Sequence, residues 1–262
     1  MLLDIHDVHF GYQNEVELLQ GFDLQVERGE FVALLGPSGC GKSTLMNLAA
    51  GLLHPLRGDV DFDGAPLRGL NREVGYMTQG DTLLPWASVA KNITLPLELR
   101  KVSRAEREER LDRVIRLVNL ADAKEKFPSE LSGGMKRRAL LARSIVYDPQ
   151  MLLMDEPFGA LDAQLREVMH QELLSTVART GQSVLFITHD ISESILLADR
   201  ILVLGGLPLR VMEEIRPPYG KNRVLAQVRN EESYFELERH LRELMREADA
   251  ETKAAKARTL AH

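Results

Sequence analysis

"EFVALLGPSGCGKST" runs from Glu30 to Thr44, and its reading decides the fold. Glu30 to Gly36 is an apolar run closed by a glycine, which predicts a buried strand entering a tight turn. Gly36 to Thr44 fits G-x-x-x-x-G-K-[ST] between that strand and a helical pattern, the context that gives the motif its meaning. Glycines there let backbone N–H groups curl around phosphates. Gly36, Pro37, Ser38, Gly39, Cys40, Gly41, Lys42, Ser43 and Thr44 are therefore the candidate nucleotide-binding residues. Lys42 is placed to reach the β- and γ-phosphates, and the Ser43 hydroxyl to ligate Mg²⁺. Nothing in this stretch specifies the base.

Working outward, short apolar runs alternate with helical patterns, as in an α/β sheet. "EVGYMTQ", "QMLLMDE", "SVLFITHD" and "RILVLGG" read as further strands, three of them apolar enough to be central and parallel. "GDVDFDG", Gly58 to Gly64, alternates and closes on Asp-Gly, a hairpin signal. Between Trp86 and Tyr147 the pattern turns helical. Ser103 with Glu106 forms a capping box, and Leu111, Val114, Ile115 and Val118 share a face. Pro128 breaks the pattern before "LSGGMKRRALLARS", Leu131 to Ser144, starts a new helix.

Composition bounds the rest. The chain has 262 residues, net charge −6 and one cysteine. An acidic balance argues against nucleic acid as the main partner. A single cysteine, Cys40, excludes an intrachain disulfide framework and points to a reducing compartment. The first residues lack the basic stretch of a signal peptide, and no apolar run nears the roughly 20 residues of a membrane span. A soluble chain is expected, any membrane role coming through a partner. Cys40 lies beside Lys42 at a helix start, a setting that favours thiolate.

The chemistry continues in "MLLMDEP", Met151 to Pro157. A buried strand there ends on two carboxylates. Asp155 is placed to hold Mg²⁺, and Glu156 to deprotonate an attacking water. Gln79 and His189 each end an apolar strand, where open α/β sheets bind ligands. Gln79 is a candidate for touching Mg²⁺ and water, and His189 for bonding the γ-phosphate. Ser132, Gly133 and Gly134 open a helix with bare N–H groups, a second anion cradle. Lys136, Arg137 and Arg138 behind them read as a solvated basic face.

In this order, Gly36 to Thr44, Gln79, "LSGGM", "MLLMDEP", "ALD" (Ala160 to Asp162) and "THD" (Thr188 to Asp190) resemble the ATP-binding cassette transporter ATPases over about residues 1–215. The resemblance implies a RecA-like P-loop NTPase core, with an N-terminal antiparallel β subdomain and an inserted α-helical subdomain. That gives a nucleotide-binding domain over 1–218, its helical part about 87–147, and a C-terminal helical extension over 219–262. It implies ATP and Mg²⁺, with Ser43, Gln79 and Asp155 at the metal, and Glu156, His189 and Gln79 as the catalytic set. Tyr12 resembles the aromatic that stacks on adenine, with Phe10 a rival. Leu131, Ser132, Gly133, Gly134 and Met135 would cap the nucleotide of a second, head-to-tail copy, and Asp162 would cross that interface. Met135 departs from the frequent Gln.

"TLLPWASVAKNITLPLELR", with "LSGGMKRR" and "ISESILLADRILVL", is similar to the subfamily that powers nitrate, sulfonate and taurine importers. The partners implied are a second nucleotide-binding subunit, membrane permease subunits and a separate solute-binding protein, with no nucleic acid. The chain would then lie peripherally on the cytoplasmic face of the inner or plasma membrane. An exporter or lipid-transporter ATPase is the alternative reading. Trp86 stands either at the permease contact or in the chain's own core. After Pro218, Phe235, Leu237, Leu241, Leu244 and Met245 suggest an amphipathic helix. It is either a regulatory extension or a helix packed on the body ahead of a solvated tail. Repair-type cassettes need a long coiled-coil insertion, ribosome-acting ones two cassettes, and GTPase switches Asn-Lys-x-Asp. None is found.

Overall fold

The computed structural model describes residues 1–12, 17–159, 161–221 and 223–260. Ala160, the first residue of "ALD", lies outside them. The chain divides into two compact units, Met1–Arg72 with Gly181–His262, and Glu73–Thr180.

The first unit holds an antiparallel sheet in the order β2-β1-β4-β5, from β1 (Leu3–Phe10), β2 (Leu19–Val26), β4 (Arg57–Phe62) and β5 (Ala65–Pro66). The β4–β5 turn has Asp63 at φ 54° and Gly64 at φ 73°. Two successive positive φ angles are what Asp-Gly favours in a two-residue hairpin. The same unit holds β3 (Phe31–Leu35), parallel to both β8 (Ser183–Thr188) and β9 (Arg200–Gly205), with β10 (Arg210–Ile215) antiparallel to β9. Every residue of β3, β8 and β9 is buried, as the apolar runs predict. Its helices are α1 (Lys42–Ala49), α6 (Ile191–Leu197), α7 (Leu225–Val228) and α8 (Glu232–Leu260).

The second unit pairs β6 (Val74–Met77) in parallel with β7 (Met151–Asp155). Its helices are α2 (Val89–Leu99), α3 (Arg104–Leu117), α4 (Gly133–Ile145) and α5 (Ala163–Thr180). Ser103 Oγ accepts the Glu106 N–H at 3.3 Å, starting α3 where the capping signal places it. Leu111, Val114, Ile115 and Val118 are buried.

α8 corrects the expected end of the chain. Its buried residues are Tyr234, Leu241, Ala248 and Thr252, and Phe235 is exposed. The helix runs to Leu260 where a solvated tail was expected. Its second half docks through alanine and threonine, which carry little hydropathy signal.

Candidate functional site

In the first unit, β3 delivers the chain to Gly36, where a Cβ would lie 2.5 Å from the Leu204 carbonyl oxygen. No other residue fits that turn. Gly41 takes φ 116° immediately before α1, a conformation that favours glycine. Lys42 is buried, and its ammonium donates to the Gly36 and Pro37 carbonyls at 2.8 and 2.7 Å. Those carbonyls satisfy a charge that burial would otherwise penalise. A buried ammonium beside a glycine-hinged loop at a helix N-terminus fits a polyphosphate.

Cys40 corrects the expected thiolate. It is fully buried, and burial pushes its thiol pKa up, outweighing the opposing Lys42 ammonium. Proximity to a cation loses here to desolvation.

Tyr12 is exposed, and its hydroxyl lies 3.2 Å from Thr44 Oγ1. Phe10 is buried and meets the Tyr12 ring edge-on at 5.1 Å. That makes Phe10 the core aromatic and leaves Tyr12 accessible at the end of the loop. β8 ends at Thr188, and the exposed His189 follows. The turn is built from side chains. Thr188 Oγ1 donates to the buried Glu193 at 2.6 Å and accepts the Asp190 N–H at 3.0 Å, and Asp190 caps the Glu193 N–H at 3.2 Å.

In the second unit, β7 ends on buried Asp155, and half-buried Glu156 follows it. Glu156 adopts φ 48°, a region sparsely populated by residues with a Cβ. Such outliers gather at functional sites, where the surroundings hold them. Gln79 Nε2 donates to the Glu156 carboxylate at 3.2 Å.

The basic residues of α4 are not a solvated face. Arg137 donates to the Thr78 carbonyl at 3.0 Å and also to that of Gln79. Lys136 pairs with Asp81 at 3.0 Å, and Arg143 reaches the Thr82 carbonyl and hydroxyl at 2.8 and 2.6 Å. Together they hold residues 78–82 against α4. Arg138 instead closes the end of α3, donating to the Val118 and Asn119 carbonyls at 3.0 and 2.7 Å. Side chains that find backbone acceptors cannot be told from solvated ones by a charge pattern.

Ser132 caps α4, its Oγ accepting the Met135 N–H at 3.3 Å. That uses a lone pair and leaves the hydroxyl proton to donate. Leu131 is buried, whereas Ser132 and Gly133 are exposed. A Cβ on Gly133 would meet nothing within 4 Å, and one on Gly134 would touch only Leu161 and Leu165, at 3.4 and 3.9 Å. Glycine in a helix costs about 1 kcal/mol relative to alanine, and packing within the chain does not require it here. Asp162 is exposed, its carboxylate accepting the Leu165 N–H at 2.9 Å.

Asn92 carries no signal in the sequence beyond being polar on an apolar face. It is fully buried. Its amide accepts the Leu84 N–H at 2.7 Å and donates to the carbonyls of Leu84, Ala87 and Ser88 at 2.9–3.1 Å. Asn92 thereby shapes the turn that presents Trp86, which is 74% exposed. Of its two readings, burial in the chain's own core is overturned.

Residues 19–159 match the ABC transporter family. The chain belongs to that family. It is 45% identical over 203 residues to the taurine import ATP-binding protein TauB of Chromobacterium violaceum, covering 78% of each chain. It is 40% identical over 214 residues to the nitrate import ATP-binding protein NrtD of Synechocystis sp., covering 82% of this chain and 80% of that one. Among solved structures it resembles the dimeric post-hydrolysis state of the ATP-binding cassette MJ0796 bound to ADP and Pi. The TM-score is 0.76 at 28% identity, over 84% of this chain and 100% of that one. This ABC transporter subunit is thus an ATPase that uses ATP with Mg²⁺ and works with membrane permease subunits. The P-loop NTPase fold with its antiparallel β subdomain is the expected one. Among the described residues no helix is long and apolar enough to cross a membrane. Nor do three or more His, Cys, Asp or Glu among them form a group that could hold a metal ion. The buried Asp155 carboxylate is a hard oxygen donor of the kind Mg²⁺ takes beside phosphate oxygens and water.

Proposed function

We propose that this ATPase drives an importer of a small anion or organosulfur compound, with taurine-like sulfonates and nitrate the first candidates. The observation that carries the reading is its 40–45% identity to taurine and nitrate import ATP-binding proteins over more than three quarters of the chain. A peripheral position on the cytoplasmic face of the membrane, beside a permease and a separate solute-binding protein, belongs to the same proposal.

At the site, Gly36 to Thr44 hold the phosphates and Lys42 neutralises the β- and γ-oxygens, while Tyr12 stacks on adenine. Ser43, Asp155 and Gln79 supply oxygen ligands to Mg²⁺, which when bound shields the phosphate charge. Glu156 takes the proton of the attacking water, with the Gln79 amide fixing its carboxylate, and His189 bonds the γ-phosphate. Phosphoryl transfer asks chiefly for positioning and charge neutralisation, and these residue types provide both. Leu131 to Met135 cap the nucleotide of a second copy arranged head to tail. An available Ser132 hydroxyl proton, two glycines not required by packing, and the positive end of α4 support that role. Asp162 belongs to the same interface. ATP then favours the closed pair and hydrolysis the open one.

The test is affinity purification of the full chain from native membranes, followed by ATPase assays in proteoliposomes with taurine and nitrate. Co-purification of an integral membrane protein, and hydrolysis that rises with one of the two solutes, are expected. Recovery of only soluble partners or of nucleic acid overturns the reading.

A further inference from the structure

α8 lies beyond the stretch matched by the family, and it reaches back to the phosphate loop. Three positions on one helical face, four residues apart, make the dock. Ala248 is fully buried, and a Cβ on Gly205 would sit 3.0 Å from the Ala248 methyl. One turn on, the buried Thr252 hydroxyl accepts the Gly206 N–H at 3.1 Å. Beside it Glu251 takes Arg210 through both carboxylate oxygens, at 2.9 and 2.8 Å. Another turn on, the Lys256 ammonium donates to the Ser38 carbonyl at 3.3 Å. A Cβ on Gly39 would meet that ammonium at 2.6 Å. The strand end that receives α8 also receives the loop, since Leu204 of β9 lies against Gly36.

The contact dictates a direction. In a trans peptide the C=O and N–H point opposite ways. With the Ser38 carbonyl turned toward Lys256, the Gly39 N–H is turned away from α8. Gly39, at φ 74°, has no side chain to hold this peptide. A cation on the carbonyl also makes the N–H of the same peptide a stronger donor.

We propose that Lys256 is a positioning residue for nucleotide phosphates, fixing the Ser38–Gly39 peptide and so linking the docking of the C-terminal helix to nucleotide occupancy. The proposal rests on the reading of Gly36 to Thr44 as the phosphate site. The coupling is reciprocal. The factor by which Lys256 improves phosphate binding is the factor by which bound phosphate holds the end of α8.

The experiment measures ATP, ADP and adenosine binding by calorimetry on the full chain and on Lys256→Ala, Lys256→Arg and Lys42→Ala variants. Lys256→Ala should weaken ATP about three- to tenfold, the usual net scale of one hydrogen bond, and should leave adenosine unaffected. Lys256→Arg should keep most of the affinity, and the Ala deficit should shrink as salt rises. A merely structural role would move neither the salt dependence nor the rescue by Arg. In the wild-type chain, ATP should slow hydrogen exchange at residues 252–258. Wild-type ATP affinity in Lys256→Ala, with ATP lost in Lys42→Ala, overturns the role of Lys256 and keeps the phosphate site. Wild-type affinity in both overturns the two together.

Discussion

The Gln79 side-chain amide and the Glu156 carboxylate meet at 3.2 Å, joining the ends of the adjacent parallel strands β6 and β7. Gln79 is itself held at its carbonyl by Arg137, and Glu156 sits at a positive φ. The candidate base is thus oriented by a neighbour that is oriented in turn from α4.

Replacing Glu156 with Gln keeps the shape and the hydrogen-bonding capacity but removes the base. Hydrolysis should fall by about 10²- to 10⁴-fold, the usual worth of a positioned general base. ATP binding should survive, and an ATP-loaded pair should accumulate on size-exclusion chromatography. A normal turnover rate in this variant would remove Glu156 from the role.

The α4 clamp separates two magnitudes. Arg143 is half-buried and makes two hydrogen bonds to Thr82. Its replacement by Ala should lower stability by about 1.5–3 kcal/mol, as for hydrogen bonds to charged groups. Lys136 and Asp81 form a pair open to solvent, so Lys136→Ala should cost less than about 1 kcal/mol. Urea denaturation of the two variants gives the comparison. Equal costs would mean that Arg143 does not brace the loop.

Trp86 is the only tryptophan in the chain and is 74% exposed. The isolated protein should therefore show the red-shifted emission of a water-exposed indole, shifting to the blue when a permease docks. Trp86→Ala should change stability by no more than about 0.5 kcal/mol, as usual for surface sites, while weakening recovery of the membrane partner. Emission that is already blue in the isolated chain would place the ring in a core.

The regular elements that carry the site were legible because burial leaves a continuous apolar run ending in glycine or a carboxylate, as at Phe31–Gly36 and Met151–Glu156. β1 is not legible in its residues, because irregular pairing around Asp7, at φ 48°, breaks the alternation that marks a strand. β10 is a half-exposed edge with mixed polarity. The hold of α8 rests on Ala248, Thr252 and Lys256, three residues that hydropathy passes over. The clamp on residues 78–82 escaped for a related reason: it consists of cations on carbonyls, and every residue supplies a carbonyl.

Cys40 yields a pH prediction. Burial raises its folded-state pKa above the ordinary thiol value, with the Lys42 charge opposing. Folding therefore favours the protonated thiol. Its contribution is intact below the unfolded-state pKa and is lost as pH rises through the folded one. Near neutral pH, iodoacetamide should label the native protein far more slowly than free cysteine, with fast labelling restored in urea. Rapid native labelling would show a reactive thiolate.

An inert Cys40 decides how the head-to-tail arrangement is tested. A cross-link from the phosphate loop has to start from Ser38, which is exposed, and end on Ser132 at the exposed start of α4. Ser38→Cys with Ser132→Cys, in a Cys40→Ala background, leaves no other thiol. A disulfide needs Cα atoms roughly 4.4–6.8 Å apart, so gentle oxidation reports proximity rather than chance collision. With ATP present and Glu156→Gln included to hold the closed state, a covalent dimer should appear on a non-reducing gel. It should need both cysteines but not in the same chain: mixing the two single-cysteine proteins should give a heterodimer linked through one bond. Peptide mapping should find residue 38 joined to residue 132 of the other copy. A fast-migrating monomer with an internal link would instead place the Leu131–Met135 cradle over its own nucleotide, and the trans arrangement would fall.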